Sequence, residues 1–156
     1  MKTLLKTSAL LCVVASLVNA NVTISSASYQ EEMKVMESGK KTTTWVKATK
    51  VVPGTLIRYV NALDNLGKQK AEKLVVKNPI PENMEYVASS ASCQTACSLS
   101  YSVDGGKSYK QAEDLYVGTG EERHLAQASE YTDIKWVLDS LAATSQSSVE
   151  YKARLK

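Results

Sequence analysis

An antiparallel all-β fold, two sheets stacked as a sandwich, is what the sequence of this 156-residue chain predicts. Three observations carry that expectation. Apolar and polar residues alternate with a period of two along most of the chain, as strands with one buried face require. The alternating runs are short and are separated by Pro, Gly, Asn and Asp, which supply the fixed or positive φ that turns need. Helical periodicity is nearly missing, with Glu121 to Glu130 alone reading as a turn or two of helix. Counting the runs gives about seven to nine strands in a single domain over residues 21–156, without internal repeat or linker.

The chain opens with a different pattern. Met1 to Lys6 carries Lys2 and Lys6, Ala9 to Val18 is apolar, and Val18-Asn19-Ala20 offers a cleavage site, the three-part order of a secretory signal. The apolar run is shorter than the roughly 20 residues that span a bilayer. Residues 1–20 are therefore expected to be removed after Ala20, and Cys12 with them. Leu11 immediately before Cys12 is not the small residue that lipid attachment requires. The expected location is outside the cytoplasm, in the periplasm or on the cell surface. Of 19 basic residues Lys2 and Lys6 would leave with the signal, so the rest exceed the 16 acidic residues by one, too little for a nucleic-acid binder.

Strand assignments follow in order. Val22 to Met36 alternates loosely and gives one or two strands. Thr42 to Val51, rich in Thr and Val, forms the next and stops at Pro53-Gly54, a turn pair. Leu56 to Leu63 is a strand ended by Asp64-Asn65-Leu66-Gly67, and Ala71 to Asn78 follows with Leu74 and Val76 inward. Pro79 and Pro81 cannot donate ladder hydrogen bonds, which suits an edge or a crossover between sheets. Met84 to Ala88 resumes extended structure. Leu99 to Val103 and Ser108 to Lys110 flank Asp104-Gly105-Gly106-Lys107, a hairpin signal. Tyr131 to Leu138 places Ile134, Trp136 and Leu138 on one face, with Trp136 the leading core anchor and Trp45 a secondary one. In the last strand Val149, Tyr151, Ala153 and Leu155 share the apolar face.

Candidate chemistry is sparse. Cys93 and Cys97, separated by Gln94-Thr95-Ala96, are expected to pair in an oxidising compartment. Zinc needs four ligands and the chain holds a single histidine, His124, remote in sequence; haem attachment and dithiol redox motifs need other spacings. Met33 and Met36 in alternating stretches read as packing residues, not soft-metal ligands. Neither a Gly-x-Ser-x-Gly elbow nor a regular calcium-loop spacing occurs, and Glu113-Asp114 and Glu121-Glu122 read as solvated loop charge. No metal and no cofactor are expected. The eight tyrosines could line a sugar-binding face, or could be ordinary strand residues.

The segment Pro53-Gly54-Thr55-Leu56-Ile57-Arg58-Tyr59-Val60, then Asp64-Asn65-Leu66-Gly67, Ala71-Glu72-Lys73-Leu74-Val75-Val76, and Ile80-Pro81-Glu82-Asn83-Met84-Glu85-Tyr86-Val87 with Ser89, resembles a known family. So do Ser102-Val103-Asp104-Gly105-Gly106, Ile134-Lys135-Trp136 and Leu141-Ala142-Ala143 downstream. The family is the domain of unknown function number eleven, a conserved-repeat domain of bacterial and archaeal envelope and surface proteins. Its order of Pro-Gly, a Tyr-bearing strand, Asn-x-Gly, a Pro-containing crossover and Tyr-Val-x-x-Ser is similar to that seen from about Thr49 to Lys156. The resemblance implies an immunoglobulin-like sandwich, often found in tandem, with no family-wide catalytic residues.

These readings lead to a non-catalytic exported module, structural or protein-binding, of the cell envelope. A carbohydrate-binding module ranks second and an exported hydrolase third. The expected partner is an envelope protein or a cell-surface polymer. Binding is expected at an end loop or strand edge, above all around Cys93 to Cys97 and Asp104 to Lys107. There a short disulfide would stiffen one loop, and the glycine hairpin would present Tyr101, Asp104, Lys107 and Tyr109 beside it.

Overall fold

The computed structural model describes residues 21–37 and 39–156; the expected signal over residues 1–20, with Cys12, lies outside the described residues. The described chain is all-β. Its strands are β1 (Val22–Val35), β2 (Lys41–Lys47), β3 (Leu56–Asn65), β4 (Ala71–Pro79), β5 (Met84–Tyr86), β6 (Ser92–Cys93), β7 (Cys97–Ser102), β8 (Tyr116–Val117), β9 (His124–Leu125), β10 (Asp133–Leu141) and β11 (Gln146–Leu155). One sheet runs β2-β1-β3-β11-β5, with β6 also on β11; a second runs β4-β10-β7; β8 and β9 form a small ribbon. Every pairing is antiparallel.

The strand count exceeds the expected seven to nine, and the strands fall into three sheets. β5, β6, β8 and β9 are two or three residues long, too short for a period of two to register in sequence. The Glu121 to Glu130 segment holds two 3₁₀ turns, Gly120–Glu122 and Ala128–Glu130, on either side of β9.

The longer strands obey the alternation. On β3, Ile57, Asn61, Leu63 and Asn65 are buried; on β10, Ile134, Trp136 and Leu138; on β11, Val149, Tyr151 and Ala153. Trp136 is fully buried, flanked across the sheet by Val76 and Leu99. Trp45 is not a core residue. It pairs with Glu31 across β1 and lies on the opposite, outer face of the large sheet, where the Arg58 guanidinium stands 6.0 Å and the Lys152 ammonium 5.6 Å from its ring. Arg58 is also paired with Glu150 on that face.

The chain has no phenylalanine, so tyrosine does most of the aromatic packing and brings its hydroxyl inside. Tyr59 stacks on Tyr151 at 4.9 Å between ring centres, Tyr151 meets Trp136 at 6.1 Å and Tyr86 at 6.4 Å, and Tyr101 stacks on Tyr131 at 4.6 Å. The Tyr151–Trp136 contact crosses from the large sheet to the three-stranded one, as does Tyr86 against Tyr101 at 5.7 Å, so these two sheets pack against each other. Buried hydroxyls need partners. The Tyr86 and Tyr101 hydroxyls bond each other, and Asn78 on β4 donates to the Tyr151 hydroxyl.

Turn chemistry closes the ends. Pro53 and Gly54 form the centre of a turn in which Thr55 N–H donates to the Val52 carbonyl, and Gly54 adopts φ +88°, the value that position of a type II turn demands. Asn65 ends β3 fully buried. Its Oδ1 accepts from Gly67 N–H, while its Nδ2 faces the carbonyls of Gln69, Leu141 and Ala142, pinning the β3–β4 turn to the β10–β11 turn. Pro79 ends β4 at the edge of the three-stranded sheet, and the chain then crosses to β5 in the large sheet.

Candidate functional site

Cys93 and Cys97 are bridged. Cys93 belongs to β6, opposite Val149 in the large sheet, and Cys97 begins β7, opposite Leu138 in the other. The bond thus closes the crossover by which the chain passes from one sheet to the next. The Asp104 to Lys107 loop lies at the far end of β7, where Gly105 N–H donates to Thr132 Oγ1. Five residue steps of strand, about 17 Å, separate the two. The disulfide and the glycine loop therefore do not form one surface.

Tyr101 is buried, 9% exposed, among Tyr86 and Tyr131. It is not displayed at the loop as expected. The alternation of Cys97, Leu99 and Tyr101 on β7 carried that signal, because residues two apart share a face. Asp104 has a definite local task. Its Oδ1 accepts from Ser102 Oγ at 2.6 Å and from Lys107 and Ser108 N–H, and its Oδ2 accepts from Ser108 Oγ at 2.6 Å. These bonds, the Ser102 and Ser108 hydroxyls foremost, hold its carboxyl well below the usual range. Gly105 and Gly106, at φ +71° and +77°, let the backbone wrap around that carboxylate. Lys107 is exposed on the loop.

Ser108 to Lys110 gives a single bridge, Lys110 to Tyr101, in place of a full hairpin strand. Tyr109 beside it lies over the outer face of the three-stranded sheet. The Lys135 ammonium stands 4.7 Å and the Lys77 ammonium 5.1 Å from its ring. Partial burial, with Asp133 and Asp104 nearby, pushes its hydroxyl up to about 12. The phenol keeps its proton at neutral pH and serves there as a hydrogen-bond donor. Tyr109 borders an open groove of about 710 Å³ floored by β7 and β10 and walled by the segment from Lys110 to Arg123.

His124 is exposed. Nδ1 faces the Glu122 carbonyl at 3.0 Å and Nε2 the Glu130 carboxylate at 3.1 Å, so both ring nitrogens donate only in the imidazolium form. Those two acceptors, the carbonyl first, raise its pKa. Glu130 also accepts from Gln127 N–H in the capping box of a 3₁₀ turn. The pair organises a loop.

At the other end of the molecule β1 outruns its support. Val22 to Gln30 pair with β3, but Tyr29 to Val35 pair with β2, leaving Glu31 onward in a two-stranded arm. Met33, Val35 and Met36 are 65%, 65% and 54% exposed there. β2 is the last strand of its sheet, so one backbone edge is open, and it carries Lys41 and Lys47 at its ends. Among the described residues no helix is long and apolar enough to cross a membrane. No family model, no curated protein and no solved structure matches the chain.

Proposed function

We propose that this chain is a non-catalytic interaction module of the cell envelope, exported by the signal in residues 1–20 and folded as an immunoglobulin-like sandwich related to the domain of unknown function number eleven. The β1–β2 arm carries the reading. A two-stranded ribbon is marginally stable alone in water, and an unpaired edge with exposed apolar side chains is a template for another strand. β2 bears Lys41, Lys47 and no carboxylate, which favours an extended acidic segment of a partner protein adding alongside it. Met33 and Val35 lie one strand further in, on β1, and long side chains of the added segment reaching across β2 would cover them.

A photo-crosslinking residue at Thr43, in protein produced with its signal in a bacterial host, tests this. The expected product is one envelope protein, captured at an acidic extended segment. Capture should fail in Lys41→Glu/Lys47→Glu and in Met33→Ser/Val35→Ser proteins with unchanged circular dichroism. Unchanged capture by those variants, or protein retained in the cytoplasm with Met1 in place, overturns the proposal.

A further inference from the structure

The outer face of the three-stranded sheet holds a charge arrangement that packing does not explain. Lys77 on β4 and Lys135 on β10 stand directly opposite each other, with the Tyr109 ring beside both ammonium groups. Like charges at directly opposed positions are destabilising in a sheet. Lys110 and Arg123 add two more cations around the same groove, and Asp114 is the carboxylate among its lining residues. Lys77, Lys110, Arg123 and Lys135 take part in no ion pair among the described residues. Asp133 and Asp104 stand near Tyr109, so the excess is that of the groove lining itself, Lys110, Arg123 and Lys135 against Asp114, in a chain that is close to neutral once residues 1–20 are set aside.

Most of the remaining lining is polar, Ser98, Ser100, Gln111 and Tyr116, with Val137 as the apolar member. Ser98 and Ser100, two apart on β7, point into the groove together, opposite Val137 and Lys135. Tyr116 forms the far wall, with the Arg123 guanidinium 4.2 Å from its ring. A row of hydroxyls fits a ligand that presents its own hydroxyls. The rings of Tyr109 and Tyr116, both in the lining, fit the apolar C–H faces of pyranose rings. Being open along its length, the groove suits an extended polymer more than an enclosed small molecule.

We propose that this groove binds an acidic oligosaccharide, its carboxylates against Lys135, Lys110 and Arg123 and its hydroxyls against Ser98, Ser100 and the Tyr109 phenol. The surface belongs to the opposite sheet from β2, so it stands or falls apart from the strand-edge reading.

Titration calorimetry with three probes tests it: a galacturonate oligosaccharide, an uncharged cello-oligosaccharide of the same length and a glutamate peptide of the same charge. The galacturonate oligomer should bind saturably and more tightly than either control, and should weaken as salt screens the exposed charges. Lys135→Ala/Arg123→Ala should weaken it by about tenfold, the size two surface ion pairs supply. Ser98→Ala/Ser100→Ala, which leaves the cations in place, should weaken it while retaining the salt dependence. Lys41→Glu/Lys47→Glu should bind as the native protein does. No saturable binding, equal binding of either control, or native affinity in the Lys135→Ala/Arg123→Ala protein with an unchanged unfolding curve overturns the proposal.

Discussion

Asn61 on β3 donates through Nδ2 to Oδ1 of Asn78 on β4 at 3.2 Å, joining the two facing sheets through buried side chains. The chain of bonds continues at both ends. Ser26 on β1 donates to Asn61 Oδ1 at 2.7 Å, and Asn78 donates to the Tyr151 hydroxyl, which reaches the Pro79 carbonyl. A dry interior built on tyrosine needs such a route, since each buried polar atom left without a partner costs about 1–3 kcal/mol.

Asn78→Leu should therefore lower unfolding free energy by about 1–3 kcal/mol, because Asn61 Nδ2 loses its acceptor. The Asn61→Leu/Asn78→Leu double variant should lose less than the two singles together, with a coupling of about 0.5–3 kcal/mol from urea unfolding. Strictly additive losses would mean the two amides act independently.

Trp136→Ala should cost about 3–5 kcal/mol, as expected for a fully buried large aromatic residue. Trp45→Ala should cost no more than about 1 kcal/mol, the scale of its exposed cation–π contacts. Equal losses at the two positions would contradict the faces assigned to β2 and β10.

The Cys93–Cys97 bridge closes a short loop, so Cys93→Ser should reduce stability by no more than about 2–3 kcal/mol and leave a folded protein. Intact mass without reductant reports the bond, and urea unfolding with and without reductant gives its size. Collapse of the fold on reduction would show that the bridge aligns the two sheets.

Asp104 has a folded pKa below its unfolded one, so its contribution is complete above the ordinary carboxylate range, about pH 4, and fades as pH falls toward the folded value. The stability gap between native protein and Asp104→Ala should accordingly narrow below about pH 4. Amide resonances of Lys107 and Ser108, both donors to that carboxylate, should stay constant through about pH 4 and shift only at the acid end of that interval, where the folded carboxylate takes up its proton. A gap that stays constant down to strongly acid pH would remove Asp104 as the organiser of its loop.

Strand phase is legible on β10 and β11, where Trp136 and Val149, Tyr151 and Ala153 point as the alternation requires, but not on the β1–β2 arm, where Met33 and Met36 are exposed although they sit in an alternating stretch. The Asp64-Asn65-Leu66-Gly67 pattern signals a turn but not the clamp Asn65 makes, because its carbonyl acceptors at Leu141 and Ala142 lie far away in sequence. The same limit hid the groove. That Lys77 and Lys135 face outward follows from their neighbours Val76 and Trp136, but their meeting depends on the β4–β10 register, which no local pattern encodes. Tyr101 is the opposite case. Proximity to a glycine loop suggested exposure, while the two-residue spacing from Leu99 had already placed it inside.

The aromatic contacts around Trp136 have an optical consequence. Tyr151 lies 6.1 Å from the indole, with Tyr59 and Tyr86 stacked or tilted against Tyr151 in turn. Excitation absorbed by these phenols passes to the nearby indole by dipolar coupling, so the native protein should emit almost wholly as tryptophan even when its tyrosines are excited. Trp136 emits from a dry site and Trp45 from the wet outer face, which splits that emission into a blue and a red component. Acrylamide should quench the red one first. Unfolding separates the rings, and the recovery of a tyrosine band then reports the parting of the two sheets without any added label.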